Sequence, residues 1–235
     1  MNENESRLKP AFSIFKKEID KFSHKDKVGF CERVYNCSLP SLGIKIPDIR
    51  NLAKYFSDFP VSMIPLDVCF EYNLLFFIIG LKQISDIREQ TDFIIENRNH
   101  FYSWAITDTS YGLYKRLPLE EELRYLLKLK RKGSFAQRFS YVVLLKYCKE
   151  KDISSLLSFI EDSKLKEVYT SIGWLLAECL IYHQEEVLSY VESSSLSYKT
   201  IQVFAYKARD SFRIESSVKI RCKELLNRKK DSLNQ

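Results

Sequence analysis

The chain has 235 residues, of which 45% are hydrophobic and 29% are charged, a composition that is typical of a globular protein and excludes a disordered one. Its six glycines and six prolines are few for a protein built from strands and tight turns, so helices are favoured. The formal net charge of +6 suits an anionic partner such as nucleic acid, with an ordinary basic protein as the alternative.

Apolar side chains recur every three to four residues along most of the chain, which is the pattern of amphipathic helices. The segment Asn36–Ile46 is instead expected to be a loop, because it contains Pro40 and Gly43. In chain order, the predicted helices cover residues 11–22, 28–35, 47–56 and 65–84, a segment that begins near Ser85, and then residues 102–116, 119–132, 134–149, 153–161, 166–182, 185–191, 197–209 and 216–228.

This succession of helices with short loops predicts an all-α fold, a HEAT-like helical-repeat solenoid with a concave basic groove. A globular helical bundle is the alternative. Residues 1–235 are expected to form a single domain, in which residues 228–235 are a frayed tail.

Neither a metal site nor a disulfide framework is expected. The six cysteines form no CxxC pair, and the three histidines lie far apart in the sequence. The N-terminus is polar, unlike a signal peptide, and the most apolar run, Leu74–Leu81, is much shorter than the ~20 residues of a membrane span. The protein is therefore expected to be cytosolic, or nuclear if the cell has a nucleus.

Four residues stand out as a candidate site. Trp104 and Asp108 are four residues apart, a spacing that places both side chains on one face of a helix. Arg138 follows Trp104 by 34 residues and Trp174 follows Arg138 by 36, about the length of one helical repeat. We therefore expect all four side chains to face one concave surface.

Indole faces, a carboxylate and a guanidinium together suit a cationic nucleotide beside a phosphate. Each residue type also has a structural explanation. A helical tryptophan is usually part of the core, Asp108 is a possible helix cap, and Arg138 is a possible surface cation. The spacing alone leaves these alternatives open.

The motifs around these residues resemble those of the AlkD-like DNA alkylation repair family. Their order and spacing agree over roughly residues 25 to 205. The motifs are Leu42-Gly43-Ile44-x-x-Pro47-x-x-Arg50, Trp104-x-x-x-Asp108, the Arg138 segment that ends in Leu144–Tyr147, and Ile172-Gly173-Trp174 with Glu178.

The resemblance implies a monofunctional glycosylase that removes cationic N3- and N7-alkylated purines from duplex DNA without flipping the base into a pocket. It also implies that Trp104 and Trp174 contact the DNA, that Asp108 is the catalytic carboxylate, and that Arg138 binds a phosphate. No metal or cofactor is implied, and a monomer is expected. The family's further tyrosine has its nearest candidate in Tyr35, which aligns only with a one-residue gap.

The chain also departs from the family pattern. Where relatives commonly carry basic residues around Ile172-Gly173-Trp174, it has Thr170-Ser171 and Leu175–Ala177. This loss of positive charge raises a second hypothesis, a non-catalytic protein that binds branched or unusual DNA. A third hypothesis is a protein-interaction scaffold in which the basic surplus is incidental.

Overall fold

The computed structural model describes residues 3–35 and 37–231, and within these ranges it contains helices and loops but no strand. The predicted all-α fold is therefore confirmed. The α-helices of the described residues are α1 (Glu3–Asp20), α2 (Val28–Tyr35), α3 (Ile46–Tyr55), α4 (Phe70–Gln83), α5 (Ile87–Glu96), α6 (Trp104–Ser110), α7 (Leu119–Lys130), α8 (Ser134–Val143), α9 (Ser154–Ser158), α10 (Lys166–Leu180), α11 (Gln184–Ser193), α12 (Tyr198–Asp210) and α13 (Ser216–Asp231).

The chain divides into two compact units, Met1–Arg116 and Leu117–Gln235. Helix α13 continues to Asp231, so residues 228–231, which were expected to be frayed, are helical. The remainder of the expected tail, residues 232–235, lies outside the described residues, as does Asn36 at the start of the predicted loop.

Helix α4 is the centre of the first unit. Twelve consecutive residues, from Phe70 to Leu81, are buried, and the helix packs against α3, α5 and α6. It begins at Phe70 rather than at the predicted Pro65, because Asp67 has a φ of 64° that no α-helix accommodates. Within the described residues, no helix combines the length and apolarity needed to cross a membrane.

A buried carboxylate fixes the loop that precedes α3. Glu71 of α4 is completely buried. It accepts hydrogen bonds from the Ser41 hydroxyl at 2.7 Å, the Leu42 amide at 2.9 Å and the Ile44 amide at 3.3 Å. Between them, Gly43 has a φ of +74°, and a Cβ there would lie 2.2 Å from the His24 carbonyl oxygen. The Leu42-Gly43-Ile44 motif is thus a loop shaped around one buried charge.

The second unit is a two-row stack of helices. Helices α8, α10 and α12 pack against one another in that order, while α7, α11 and α13 pack on α8, α10 and α12 respectively. This repetition of helix pairs is the packing expected of a helical-repeat protein. The helix predicted over residues 134–149 ends at Val143 and continues as a 3-10 helix, Leu144–Tyr147.

A second buried carboxylate lies in this unit. Glu122 of α7 is completely buried and accepts hydrogen bonds from the Leu117 amide at 2.9 Å and from the Tyr147 hydroxyl. The Lys146 ammonium lies 3.6 Å from its other oxygen. The segment Leu144–Tyr147, quoted above as a motif, thus anchors the start of α7.

Candidate nucleic-acid interface

Trp104 is held at the surface by the start of its own helix. Ser103 caps α6: its hydroxyl accepts a hydrogen bond from the Ala105 amide at 3.2 Å and donates one to the Tyr35 carbonyl oxygen at 2.5 Å. The Trp104 indole donates its own hydrogen bond to the Val34 carbonyl oxygen at 2.9 Å, and 36% of the residue is exposed. Trp104 is therefore neither a core residue nor a mobile surface side chain.

Asp108 lies one turn after Trp104 and is half-buried. The Thr107 hydroxyl lies 2.8 Å from both the Asp108 Oδ1 and the Trp104 carbonyl oxygen. Both of these oxygens are acceptors and a hydroxyl has only one proton, so Thr107 donates either to the Asp108 carboxylate or to the Trp104 carbonyl group. The i, i+4 spacing places the indole and the carboxylate on the same face of α6.

Tyr35 supports this arrangement from α2. Its ring stacks on Phe70 at a centroid distance of 5.3 Å and meets Trp104 edge-on at 6.0 Å. Burial raises the pKa of its phenol to about 12, so the group is neutral at physiological pH. In the described structure, Tyr35 is a buried support for Trp104 rather than an exposed residue.

Arg138 is the buried cation of the second unit, with only 7% of the residue exposed. Its Nη1 donates to the Glu167 carbonyl oxygen at 2.9 Å and lies 3.0 Å from the Thr170 Oγ1. Thr170 lies one turn before Trp174, so it shares a face of α10 with that residue. Thr170 therefore orients Arg138, and it belongs to the Thr170-Ser171 pair that departs from the expected family pattern.

The motif Ile172-Gly173-Trp174 brings α10 close to α12. A Cβ at Gly173 would lie 2.6 Å from Val203 Cγ1 and 2.9 Å from the Phe204 amide nitrogen, so only glycine fits without movement. Ile172 is completely buried, whereas Trp174 is half-buried at the surface of the unit.

The departures from the family pattern carry less weight once burial is considered. Ser171 and Leu175–Ala177 are buried. No cation is therefore missing from the protein surface at these positions. In addition, the Lys207 ammonium of α12 lies 6.0 Å from the centroid of the Trp174 ring. Lys207 follows Trp174 by 33 residues, close to the repeat spacing that connects the other site residues.

Three further cations surround a cavity of about 240 Å³ in the first unit. Arg50 and Lys54 come from α3 and Lys82 from α4, and Thr109, the neighbour of Asp108, completes one side. Arg50 belongs to the N-terminal motif noted in the sequence, but neither lysine carried any local signal. Clustered cations beside α6 form a surface suited to phosphate groups.

The structure thus brings Trp104 and Asp108 together in the first unit, and it places Arg138 against the face of α10 that carries Trp174 in the second. That all four line one surface stays a prediction. Sequence reasoning did not single out Thr107, whose contacts are local to α6. It missed Lys207 and the role of Thr170, because their contacts join different helices.

The chain matches a known protein family. The model of a family described as DNA alkylation repair enzyme matches residues 15–208, a range that includes all four candidate residues and excludes α13. No curated protein matches the chain.

Proposed function

The chain belongs to the DNA alkylation repair enzyme family, and on that premise we propose that it is a DNA glycosylase that releases N3- and N7-alkylated purines from duplex DNA. The observation that carries the proposal is the pair on α6: an exposed indole and, one turn later, a half-buried carboxylate within hydrogen-bond distance of the Thr107 hydroxyl. One element therefore presents a surface for a cationic base together with a negative charge for the sugar.

The chemistry needs no general acid. An N3- or N7-alkylated purine is already positively charged, so the bond between C1′ and N9 breaks with its electron pair moving to the base, which leaves neutral. The sugar becomes electron-poor and oxocarbenium-like, as in other glycoside cleavages. Asp108 stabilises this charge and orients the water that adds to C1′ and then loses a proton.

The other residues serve binding in this proposal. The faces of Trp104 and Trp174 favour a cationic nucleoside over a neutral one. Arg50, Lys54 and Lys82 provide contacts for backbone phosphates. Arg138 contributes its charge through its small exposed area, held in place by Thr170. We propose that the protein acts as a monomer.

One observation favours the alternative, a non-catalytic DNA-binding protein. The Nη1 of Arg138 is already bound to two acceptors of the protein, and the side chain is almost completely buried. A guanidinium held in this way has fewer N–H groups available to a phosphate than an exposed guanidinium does. The alternative retains DNA binding but predicts no base release.

The test is release of free base from defined duplexes. Purified protein is incubated with a duplex that carries a single 7-methylguanine, and the free base is measured by mass spectrometry. We expect release from this duplex and none from an equal duplex with hypoxanthine, because hypoxanthine is neutral and needs protonation to leave. Tight binding of the alkylated duplex without any release would instead establish the non-catalytic alternative.

A further inference from the structure

A groove between α12 and α13 forms a second basic surface, and its α13 side lies beyond the family match, which ends at residue 208. Its cavity measures about 510 Å³. The lining includes two aromatic residues, Tyr198 and Tyr206, and four cations, Arg209, Lys219, Lys223 and Lys230. The cavity is in the ~300–1,000 Å³ range of sites for small organic molecules, large enough for a nucleotide but far too small for a duplex segment.

The cations of α13 divide between two faces with different roles. Arg221 and Arg228 point toward α11, where they pair with Glu185 and Glu192. Across the described residues, none of the three groove lysines has an ion-pair partner within 4 Å. The arginines therefore stabilise the packing of α13, while the lysines leave positive charge in the groove.

The spacing of these lysines fits a row of negative charges rather than a single one. At a rise of 1.5 Å per residue, Lys219 and Lys223 are about 6 Å apart along the helix axis, and Lys230 lies about 10 Å further. Arg209 adds a fourth cation from α12, where its guanidinium pairs with Asp210 at 2.8 Å. Within the described part of the chain, the groove thus has four cations, of which only Arg209 is paired with a carboxylate.

The tyrosine rings on the opposite wall are held in position. Gln202 lies between them on α12, and its amide donates to the hydroxyls of Tyr198 and Tyr206 at 3.3 Å each. The Arg209 guanidinium lies 4.9 Å from the centroid of the Tyr206 ring, and 46% of Tyr206 is exposed. Rings fixed in this way lose little freedom when a planar ligand stacks on them.

We propose that this groove binds a single-stranded nucleic-acid segment, with phosphates along Lys219, Lys223 and Lys230 and bases on Tyr198 and Tyr206. A positive groove that follows the backbone, combined with aromatic faces for the bases, is the general solution for single strands. An acidic peptide would satisfy the lysines but would leave the two tyrosine rings without a stacking partner.

The test uses fluorescence anisotropy with a labelled ten-nucleotide oligothymidylate and the full chain. The double variant Lys219→Gln/Lys223→Gln should bind at least ~10-fold more weakly than the wild type and show a salt slope smaller by about 1.4, since each phosphate contact in a single strand contributes about 0.7. Lys132→Gln/Lys151→Gln, at exposed lysines of the same unit, is the matched control and should bind like the wild type.

A second pair of variants tests stacking. Tyr206→Leu should weaken binding by roughly 5-fold or more, the lower end of the range for one stacked base, whereas Tyr206→Phe retains the ring and most of the affinity. Unchanged affinity in the double lysine variant, or competition by oligoglutamate as effective as that by unlabelled oligothymidylate, would overturn the proposal. Release of 7-methylguanine should be unaffected in all these variants, so failure of the glycosylase assay in the wild type is a separate result.

Discussion

The Oγ1 of Thr170 lies 3.0 Å from the Nη1 of Arg138, so a hydroxyl of α10 holds the arginine of the candidate site. We expect Thr170→Val, which keeps the shape but removes the acceptor, to weaken duplex binding several-fold, because Arg138 loses one of its anchors. Thr170→Ser retains a hydroxyl and should bind like the wild type. Equal duplex affinity in all three proteins and in Arg138→Gln, which removes the charge, would show that Arg138 does not contribute to DNA binding.

Asp108→Asn keeps the size of the side chain but removes its charge. If the carboxylate stabilises the developing sugar cation, the rate of 7-methylguanine release should fall by ~10²-fold or more. Duplex affinity should stay the same or rise slightly, since a carboxylate near phosphates repels them. Asp92→Asn, at an exposed aspartate of the same unit, is the control. Full activity of Asp108→Asn would mean that another group performs the chemistry.

Glu71→Ala leaves the Ser41 hydroxyl and the amides of Leu42 and Ile44 without their acceptor inside the protein. Loss of a buried charged acceptor should lower the free energy of unfolding by about 3–5 kcal/mol. Urea denaturation measures the difference, and Glu96→Ala, at an exposed position, should change it by less than about 0.5 kcal/mol. A small effect of Glu71→Ala would show that water replaces the lost carboxylate.

Gly173→Ala tests the close approach of α10 and α12. The new methyl would lie 2.6 Å from Val203 Cγ1, so the helices must separate, at a cost of about 1–3 kcal/mol in the free energy of unfolding. Gly112→Ala is the matched control, because nothing lies within 4 Å of a Cβ at that position. Equal denaturation midpoints for the two variants would show that α12 moves without cost.

Alkaline pH should destabilise the protein through its buried thiols. Burial raises the pKa of Cys222 to about 11, whereas an unfolded cysteine ionises near ~8.5. The folded state keeps the Cys222 thiol proton to a higher pH than the unfolded state does. The contribution of this thiol to the free energy of unfolding is therefore fully present below about pH 8.5 and is lost as the pH rises toward 11. In Cys222→Ala, the slope of unfolding free energy against pH in this window should be less negative by roughly 1.4 kcal/mol per pH unit. An unchanged slope would show that the thiol does not titrate on unfolding.

Local sequence signals were sufficient for many helices of the second unit. The predicted starts of α7 and α10 agree with the structure, and that of α12 differs by one residue. The signals are local: acidic first turns in α7 and α10, the Ser197 cap of α12, and an apolar stripe in each segment. The start of α4 was wrong, since the backbone of Asp67 depends on long-range contacts. Its amide donates to the Asn73 side chain at 3.3 Å, and its carboxylate contacts the His100 ring at 2.9 Å.

The candidate site also combines features that local sequence predicts with features that depend on long-range contacts. The pairing of Trp104 with Asp108 follows from helical spacing alone, so the sequence contains it. The contacts of Arg138 with Thr170 and of Trp174 with Lys207 join different helices, and no local pattern predicts them. Glu71 and Glu122 were missed because a charged residue is ordinarily expected at the surface, whereas each of these two is buried with donors from a neighbouring loop.

The burial of Phe70 to Leu81 in α4 has a consequence for how the first unit opens. A surface helix such as α13 buries only one stripe of side chains. Its turns can therefore unfold one after another while the rest of the unit stays folded. Helix α4 has neighbours on several sides, so its backbone amides meet solvent only when α3, α5 and α6 have also been displaced. Exchange of those amides with deuterium therefore reports the opening of the whole unit, and the opening free energies for Phe70 to Leu81 should converge on one common value.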